Sequence, residues 1–314
     1  MNNLEFCLMW QQYLQQIQQG NTKSLARAIS LVENEVQGYE ELLQTLPAST
    51  TPVIGVTGPP GAGKSTLVDA LIEKIVTAGN KVAVICVDPS SPFNLGALLG
   101  DRIRMSEWYN HPNVFIRSLA TRGSLGGLHP KIIEISDLMK AAPFDFIIVE
   151  TVGVGQSEIE IAGLADVTIV TVVPEAGDEV QTMKAGLMEI ADIFVVNKSD
   201  RPDADLFVKN LNMMLAPAFN KKQTPIPVIK TIALQKTGIE ELMIAIKNQL
   251  TGIAENDATK NEKRYWLLAE KAFQLIQQKR MGDINKETLK NKIALAGNDF
   301  NLYQFIKNYS PYFQ

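Results

Sequence analysis

The residues with the clearest chemical content lie in "GPPGAGKST", 58 to 66, where Gly58, Gly63, Lys64 and Ser65 satisfy G-x-x-x-x-G-K-[ST]. A loop that wraps a polyphosphate must turn its own N–H groups inward, which calls for glycines. A helix following that loop adds the positive end of its dipole. In such a loop Gly58, Pro59, Gly61, Ala62, Gly63 and Thr66 surround the phosphates. Lys64 lies against the β- and γ-phosphates, and the Ser65 hydroxyl ligates Mg²⁺. A chance glycine loop is the competing reading. The β-branched run "TPVIGVTG" before it and the helically spaced "TLVDALIEKIVTAG" after it supply the strand, loop and helix context that the motif needs.

The base is addressed by a second motif. "FVVNKSD" places Asn197, Lys198 and Asp200 directly after an apolar run, in the pattern N-K-x-D. A carboxylate there accepts two N–H donors from the guanine edge, a pair that adenine cannot offer, so Asp200 discriminates between them. Asn197 braces the loop and the Lys198 stem covers the base. A short loop after the next strand, "TIALQKTG", closes the base pocket through backbone atoms of Ala233 and Leu234.

The metal side has three carboxylate candidates. "FDFIIVETVGVGQSE" ends a strand with Glu150, positioned to orient magnesium-bound water, and the Gly153 N–H then faces the γ-phosphate. Asp88 in "VDPSSP" ends the second apolar run, and Asp101 in "LLGDRIRM" is either a third acidic group or a helix N-cap. No glutamine directly follows Gly153, where many GTPases carry the residue that orients water; Gln156 comes three positions later. Slow intrinsic hydrolysis, completed by a switch or a partner, is the expectation.

These groups need a scaffold. The apolar runs "VIGVTG", "KVAVICVD", "VFIRSLA", "FDFIIVET", "VTIVTVV", "IFVVNK" and "PVIKTIA" alternate with helical segments. Short, nearly continuous apolar runs suit strands covered on both faces. The prediction is an α/β P-loop NTPase fold with a mostly parallel central sheet flanked by helices, plus N- and C-terminal helical extensions. The expected divisions are a helical extension over 1–50, the nucleotide domain over 51–255 and a helical region over 256–314. The N-terminal part holds "LMWQQYLQQIQQG" and a second segment, "TKSLARAISLVENEVQGYEELLQTL", in which Leu25, Ala28, Ile29 and Val32 recur at helical spacing.

The 314 residues, 46% hydrophobic and 20% charged, are those of a globular chain with a sizeable core, and a net charge of −4 argues against nucleic-acid binding through overall positive charge. Cys7 and Cys86 are too few for a disulfide framework or zinc site, and Cys86, inside an apolar run, reads as a buried thiol. His111 and His129 each adjoin a proline and read as surface residues. No secretory pattern and no apolar stretch long enough for a bilayer is visible, so the expectation is cytoplasmic, with no membrane.

Taken together, "GPPGAGKSTL", "VDPSSPFNLGALLGDRIRM", "RSLATRGSLGGL", "DFIIVETVGVGQSE" and "TVVPEAGDEVQTMKAGLMEIADIFVVNKSD" resemble the MeaB/ArgK family of P-loop GTPases. The likeness is dense from about 24 to 200 and thinner to about 250. The resemblance implies a homodimeric GTPase chaperone that binds GTP/GDP and Mg²⁺, gates delivery of adenosylcobalamin to methylmalonyl-CoA mutase and protects that enzyme. It implies magnesium-site roles for Ser65, Asp88, Asp101 and Glu150, and mobile switches near 88–105, 151–160 and 175–189. The last holds Glu175, Asp178, Gln181 and Lys184, with Lys184 the candidate to swing toward the nucleotide when the mutase docks. The C-terminal "NDFNLYQFIKNYSPYFQ" matches nothing in the family pattern, and "TIAL" stands where a Ser-Ala pair is common.

Other readings have their own signatures. A chaperone of a related acyl-CoA mutase, such as isobutyryl-CoA mutase, carries the same motifs. A nickel or cobalt metallochaperone GTPase calls for paired Cys or His ligands, of which none is visible. An ArgK-type kinase of a transport system transfers phosphate to a protein, and the intact Lys64, Ser65 and Glu150 argue against a non-catalytic, nucleotide-dependent scaffold.

Overall fold

The computed structural model describes residues 3–88, 105–121, 128–153, 157–176, 185–219, 225–253 and 258–280. The chain forms two compact units, 1–264 and 265–314.

The first unit is built on a seven-stranded sheet in the order β3-β2-β4-β1-β5-β6-β7. The strands are β1 (Val53–Thr57), β2 (Val82–Asp88), β3 (Val114–Ala120), β4 (Phe146–Glu150), β5 (Val167–Val172), β6 (Ile193–Val196) and β7 (Val228–Lys230). All six pairings are parallel, with Val53 opposite Ile147, Ile54 opposite Val167 and Cys86 opposite Glu150. Strands β1, β2, β5 and β6 are buried along their whole length, which is why they read as unbroken apolar runs rather than alternating ones. β7 is an edge strand with exposed or half-buried residues, and three residues of the run "PVIKTIA", Val228, Ile229 and Lys230, pair with β6.

Helices cover both faces. α4 (Lys64–Thr77) and α9 (Ile239–Ile253) lie on one face, where Leu67, Leu71 and Ile75 meet Ile54, Val84, Ile148 and Leu242. On the other lie α1 (Asn3–Gln18), α2 (Thr22–Glu33), α3 (Tyr39–Gln44), α5 (Ile132–Lys140), α6 (Ser157–Leu164), α7 (Ala185–Ile190) and α8 (Ala204–Phe219). Leu25, Ala28, Ile29 and Val32 of α2 are all buried, as their spacing predicts. The α2 start is capped by Asn21, whose side chain accepts the Ser24 N–H (3.1 Å). The second N-terminal segment is not one helix: it breaks after Glu33, where Glu35 takes a positive φ of 50°, and resumes at Tyr39.

His129 departs from the surface reading. It is 2% exposed, and its Nδ1 accepts the Lys131 N–H at 3.0 Å just before α5. Its Nε2 lies 3.8 Å from Glu33 of α2, and Glu33 also meets Arg117 of β3 (2.5 Å). Beside them Lys131 reaches Glu35 (2.8 Å) and the Tyr39 hydroxyl (3.2 Å). This polar cluster ties the N-terminal helices to the edge of the sheet. The adjacent proline signals a loop, but burial here comes from tertiary packing. His111 is half-buried, and Cys86 is a buried thiol outside any disulfide.

In the second unit, the described residues are the continuation of α10 (Ala258–Arg280), with Tyr265, Trp266, Phe273 and Ile276 exposed. Among the described residues, no helix is long and apolar enough to cross a membrane.

Candidate functional site

The predicted phosphate loop joins the C-terminal end of β1 to the first turn of α4. Gly63 caps α4 in the left-handed region (φ 90°) with no side-chain capping bond, leaving the first-turn N–H groups to face a ligand. Only glycine fits there, since a Cβ would collide with the Asn197 side-chain amide. Lys64 is buried and folds back over its own loop, its Nζ donating to Gly58 O (2.9 Å) and Pro59 O (3.1 Å). Gly58 and Ala62 are buried, Thr66 and Pro59 half-buried, and Gly61 exposed at the loop tip.

The carboxylates follow from strand parity. Ile148 and Cys86 face α4, so Glu150 and Asp88, two residues further along β4 and β2, are on the same side. Both are buried, at 4% and 5% exposure. Ser65 Oγ donates to Glu150 Oε1 at 2.7 Å, bringing together residues 85 positions apart. Asp88 O accepts the Thr121 N–H (3.0 Å), which ties the ends of β2 and β3. The donor set of hydroxyl and carboxylate oxygens suits a hard divalent cation such as Mg²⁺, and contains none of the sulfur or imidazole that a softer metal selects. Among the described residues, no three His, Cys, Asp or Glu side chains are grouped to hold a metal. Asp101 lies outside the described residues.

Beyond Glu150, Thr151 Oγ1 donates to Thr57 Oγ1 (2.9 Å) and the Thr151 N–H to Val56 O (3.0 Å), so the chain leaving β4 is tied to the end of β1. It delivers Gly153, at φ 83°, against the phosphate loop, where a Cβ would strike both Gly58 O and Lys64 Nζ. Gln156, Asp178, Gln181 and Lys184 fall outside the described residues.

The N-K-x-D residues sit at the C-terminal end of β6, across the phosphate loop. Asn197, 2% exposed, uses both ends of its amide: Nδ2 donates to Ala62 O (2.9 Å), and Oδ1 accepts from Thr231 Oγ1 (3.1 Å) and the Ala233 N–H (3.0 Å). One side chain thus joins the phosphate loop, the end of β7 and the loop after it. Lys198 Nζ donates to Gly61 O (2.8 Å). Asp200 is exposed, and Leu234 is 85% exposed while Ala233 is buried. Lys236 at the end of that loop pairs with Glu73 of α4; this bond raises its pKa above 10.5.

Two contributors escaped the sequence reading. Thr231, fully buried, stood inside the quoted "TIALQKTG" without a role, although a polar residue in an apolar strand end is a signal. Arg201 directly follows Asp200 and pairs with Glu175, beyond the end of β5. Burial pushes the Glu175 carboxyl up, but the Arg201 hydrogen bond, its own backbone N–H and the charges of Arg201 and Lys198 outweigh this. The net direction is down from 4.5.

A parallel sheet carrying a G-x-x-x-x-G-K-S loop between its first strand and the following helix defines a P-loop NTPase. Residues 25–288 match the family described as Methylmalonyl Co-A mutase-associated GTPase MeaB, and the chain belongs to that family. A GTPase relative from Pyrococcus abyssi is 44% identical over 262 residues, 82% of this chain and 81% of that one. The fused isobutyryl-CoA mutase of Geobacillus kaustophilus is 34% identical over 287 residues, covering 81% of this chain and 26% of that much longer protein. A crystal structure of an LAO/AO transport system kinase matches 99% of this chain and 98% of its own, with 28% identity and a TM-score of 0.68.

Proposed function

We propose that this chain is a Mg²⁺-dependent GTPase chaperone that gates adenosylcobalamin delivery to, and protects, methylmalonyl-CoA mutase or a closely related acyl-CoA mutase. The observation that carries the partner assignment is the fused isobutyryl-CoA mutase, about a quarter of whose length this chain matches. Fusion holds two modules at high effective concentration, which is useful when they act on each other. The family description, which couples a GTPase to a methylmalonyl-CoA mutase, supports the same reading.

In this reading Gly58, Pro59, Gly61, Ala62, Gly63 and Thr66 cradle the phosphates. Lys64 exchanges its contacts with the Gly58 and Pro59 carbonyls for the β- and γ-phosphate oxygens. Ser65, Asp88 and Glu150, with Asp101 by family resemblance, would hold Mg²⁺, which supplies charge neutralisation at the phosphates. Asp200 selects guanine, Asn197 and Lys198 brace its pocket, and Ala233 and Leu234 border it. Gly153 leaves room for the γ-phosphate beside Lys64. Water attacks the γ-phosphorus in line, with no covalent intermediate.

Gating requires GTP and GDP states that differ in affinity for the mutase, because a ligand shifts a conformation only through differential binding. Lys184 is assigned the partner-dependent role, completing the site on docking. The active form is a homodimer in the cytoplasm, a reading supported by the exposed Tyr265, Trp266 and Phe273 of α10. Residues 51–255 form the GTPase domain between a helical extension at 1–50 and a dimerising region at 256–314. Equilibrium binding of GDP and ADP, followed by hydrolysis with and without EDTA, tests the nucleotide half. Equal affinity for the two nucleotides, or EDTA-insensitive turnover, would contradict it.

A further inference from the structure

The Asp200 carboxylate is exposed and has no hydrogen-bond or ion-pair partner among the described residues, so its direction is set by the turn that carries it. That turn is closed by Arg201 N–H donating to Lys198 O (3.1 Å) and held to the end of β7 by Ser199 N–H donating to Thr231 O (3.0 Å). Lys198 Nζ ties it to Gly61 O (2.8 Å). The remaining tether is different in kind: the Arg201 guanidinium donates to Glu175 Oε1. Glu175 stands in a short 3-10 turn, Pro174–Ala176, just past β5, and β5 is the strand next to β6, with Val172 opposite Val196. The pair therefore bridges neighbouring strand ends at the edge of the sheet where the nucleotide site lies.

The pair is half exposed, so its contribution to folding is small. Its position gives it another effect. A guanidinium on the residue after Asp200 is a strong competitor for that carboxylate, since it offers paired N–H donors much as the guanine edge does. Glu175 gives Arg201 a carboxylate of its own. We propose that Glu175 is a specificity-determining positioning residue: it engages Arg201, so that Asp200 stays available to the guanine edge. This inference rests on the guanine-nucleotide reading of the site.

The test is the dissociation rate of ribose-labelled fluorescent GDP from the full-length chain and from Glu175→Ala, Arg201→Ala and the double variant, at low and high salt. At low salt, Glu175→Ala is expected to release GDP faster by up to about fivefold, the scale of an exposed ion pair. The double variant is expected to fall back to the slower rate of Arg201→Ala, because the competitor is gone. In about 1 M salt, where the Debye length is ~3 Å, the difference should shrink. Glu175→Ala indistinguishable from wild type at low salt overturns the inference, and so does a double variant as fast as Glu175→Ala. Wild-type protein that binds no GDP overturns the nucleotide reading and this inference together. Wild type that binds GDP alongside an unchanged Glu175→Ala overturns this inference alone.

Discussion

Replacing Asn197 by alanine should destabilise the fold and the nucleotide site at once. The side chain makes three buried hydrogen bonds, at 2.9, 3.1 and 3.0 Å, to Ala62 O, Thr231 Oγ1 and Ala233 N. At about 1 kcal/mol net each, their loss comes to ~3 kcal/mol. Thr231 is fully buried and Ala233 is 3% exposed, so a hydroxyl and a backbone N–H are left without that acceptor. This raises the upper end to ~5 kcal/mol. Urea unfolding followed by intrinsic fluorescence should show a lower midpoint at unchanged slope. For a domain of roughly this size a loss of ~3 kcal/mol should lower the melting temperature by roughly 6–12 °C. Thr231→Val removes only one of the three bonds and should cost about 1 kcal/mol. The double variant should cost less than the sum of the two singles, because they share a contact. A loss below ~0.5 kcal/mol for Asn197→Ala, the range of an ordinary surface substitution, would refute the view that this amide binds the three loops together.

Three further outcomes follow from the same geometry. Gly153→Ala places a methyl group against Gly58 O and Lys64 Nζ at a positive φ, so it should lower stability by about 1–3 kcal/mol and weaken GTP binding, read by thermal melts and nucleotide titration. Asp200→Asn exchanges an acceptor for a donor at the guanine edge, so GTP affinity should fall by at least about tenfold while xanthosine triphosphate, with a carbonyl there, gains in competition binding. Burial pulls the Lys131 pKa down, but Glu35, the Tyr39 hydroxyl and Glu134 outweigh it and the net direction is up from 10.5. The stability this gives is complete below pH 10.5 and is lost as pH rises through the folded value. Denaturation across pH 7 to 12 should therefore show Lys131→Met less stable than wild type at pH 7 to 8, with the gap narrowing as pH rises above about 10.5.

What could be read from the sequence was what is local. The phosphate loop and N-K-x-D are contiguous, and their chemistry needs no knowledge of the rest of the chain. Strands buried on both faces announce themselves as apolar runs, and α2 shows its buried face at helical spacing. Ser65 and Glu150 come together as their two motifs imply, since both are assigned to one magnesium site. Side-chain juxtapositions outside the motifs were not legible: nothing in the local pattern brings Thr231 to Asn197, since strand order decides it. His129 was misread because its proline neighbour reports the loop and not the α2 helix packed over it. The break after Glu33 was hidden because the residues that follow still contain helix formers. Arg201 and Glu175 meet across two loop ends, and an exposed charge in a loop carries no signature of its partner.

The proposed function couples a GTPase cycle on this chain to an acyl-CoA mutase. The most direct test is steady-state GTP hydrolysis by the purified protein, alone and with methylmalonyl-CoA mutase from the same organism, with ATP as control. Turnover is expected to be slow, selective for GTP and faster when the mutase is added. A GTPase rate that the mutase leaves unaltered, in an assay where isobutyryl-CoA mutase also has no effect, would contradict it.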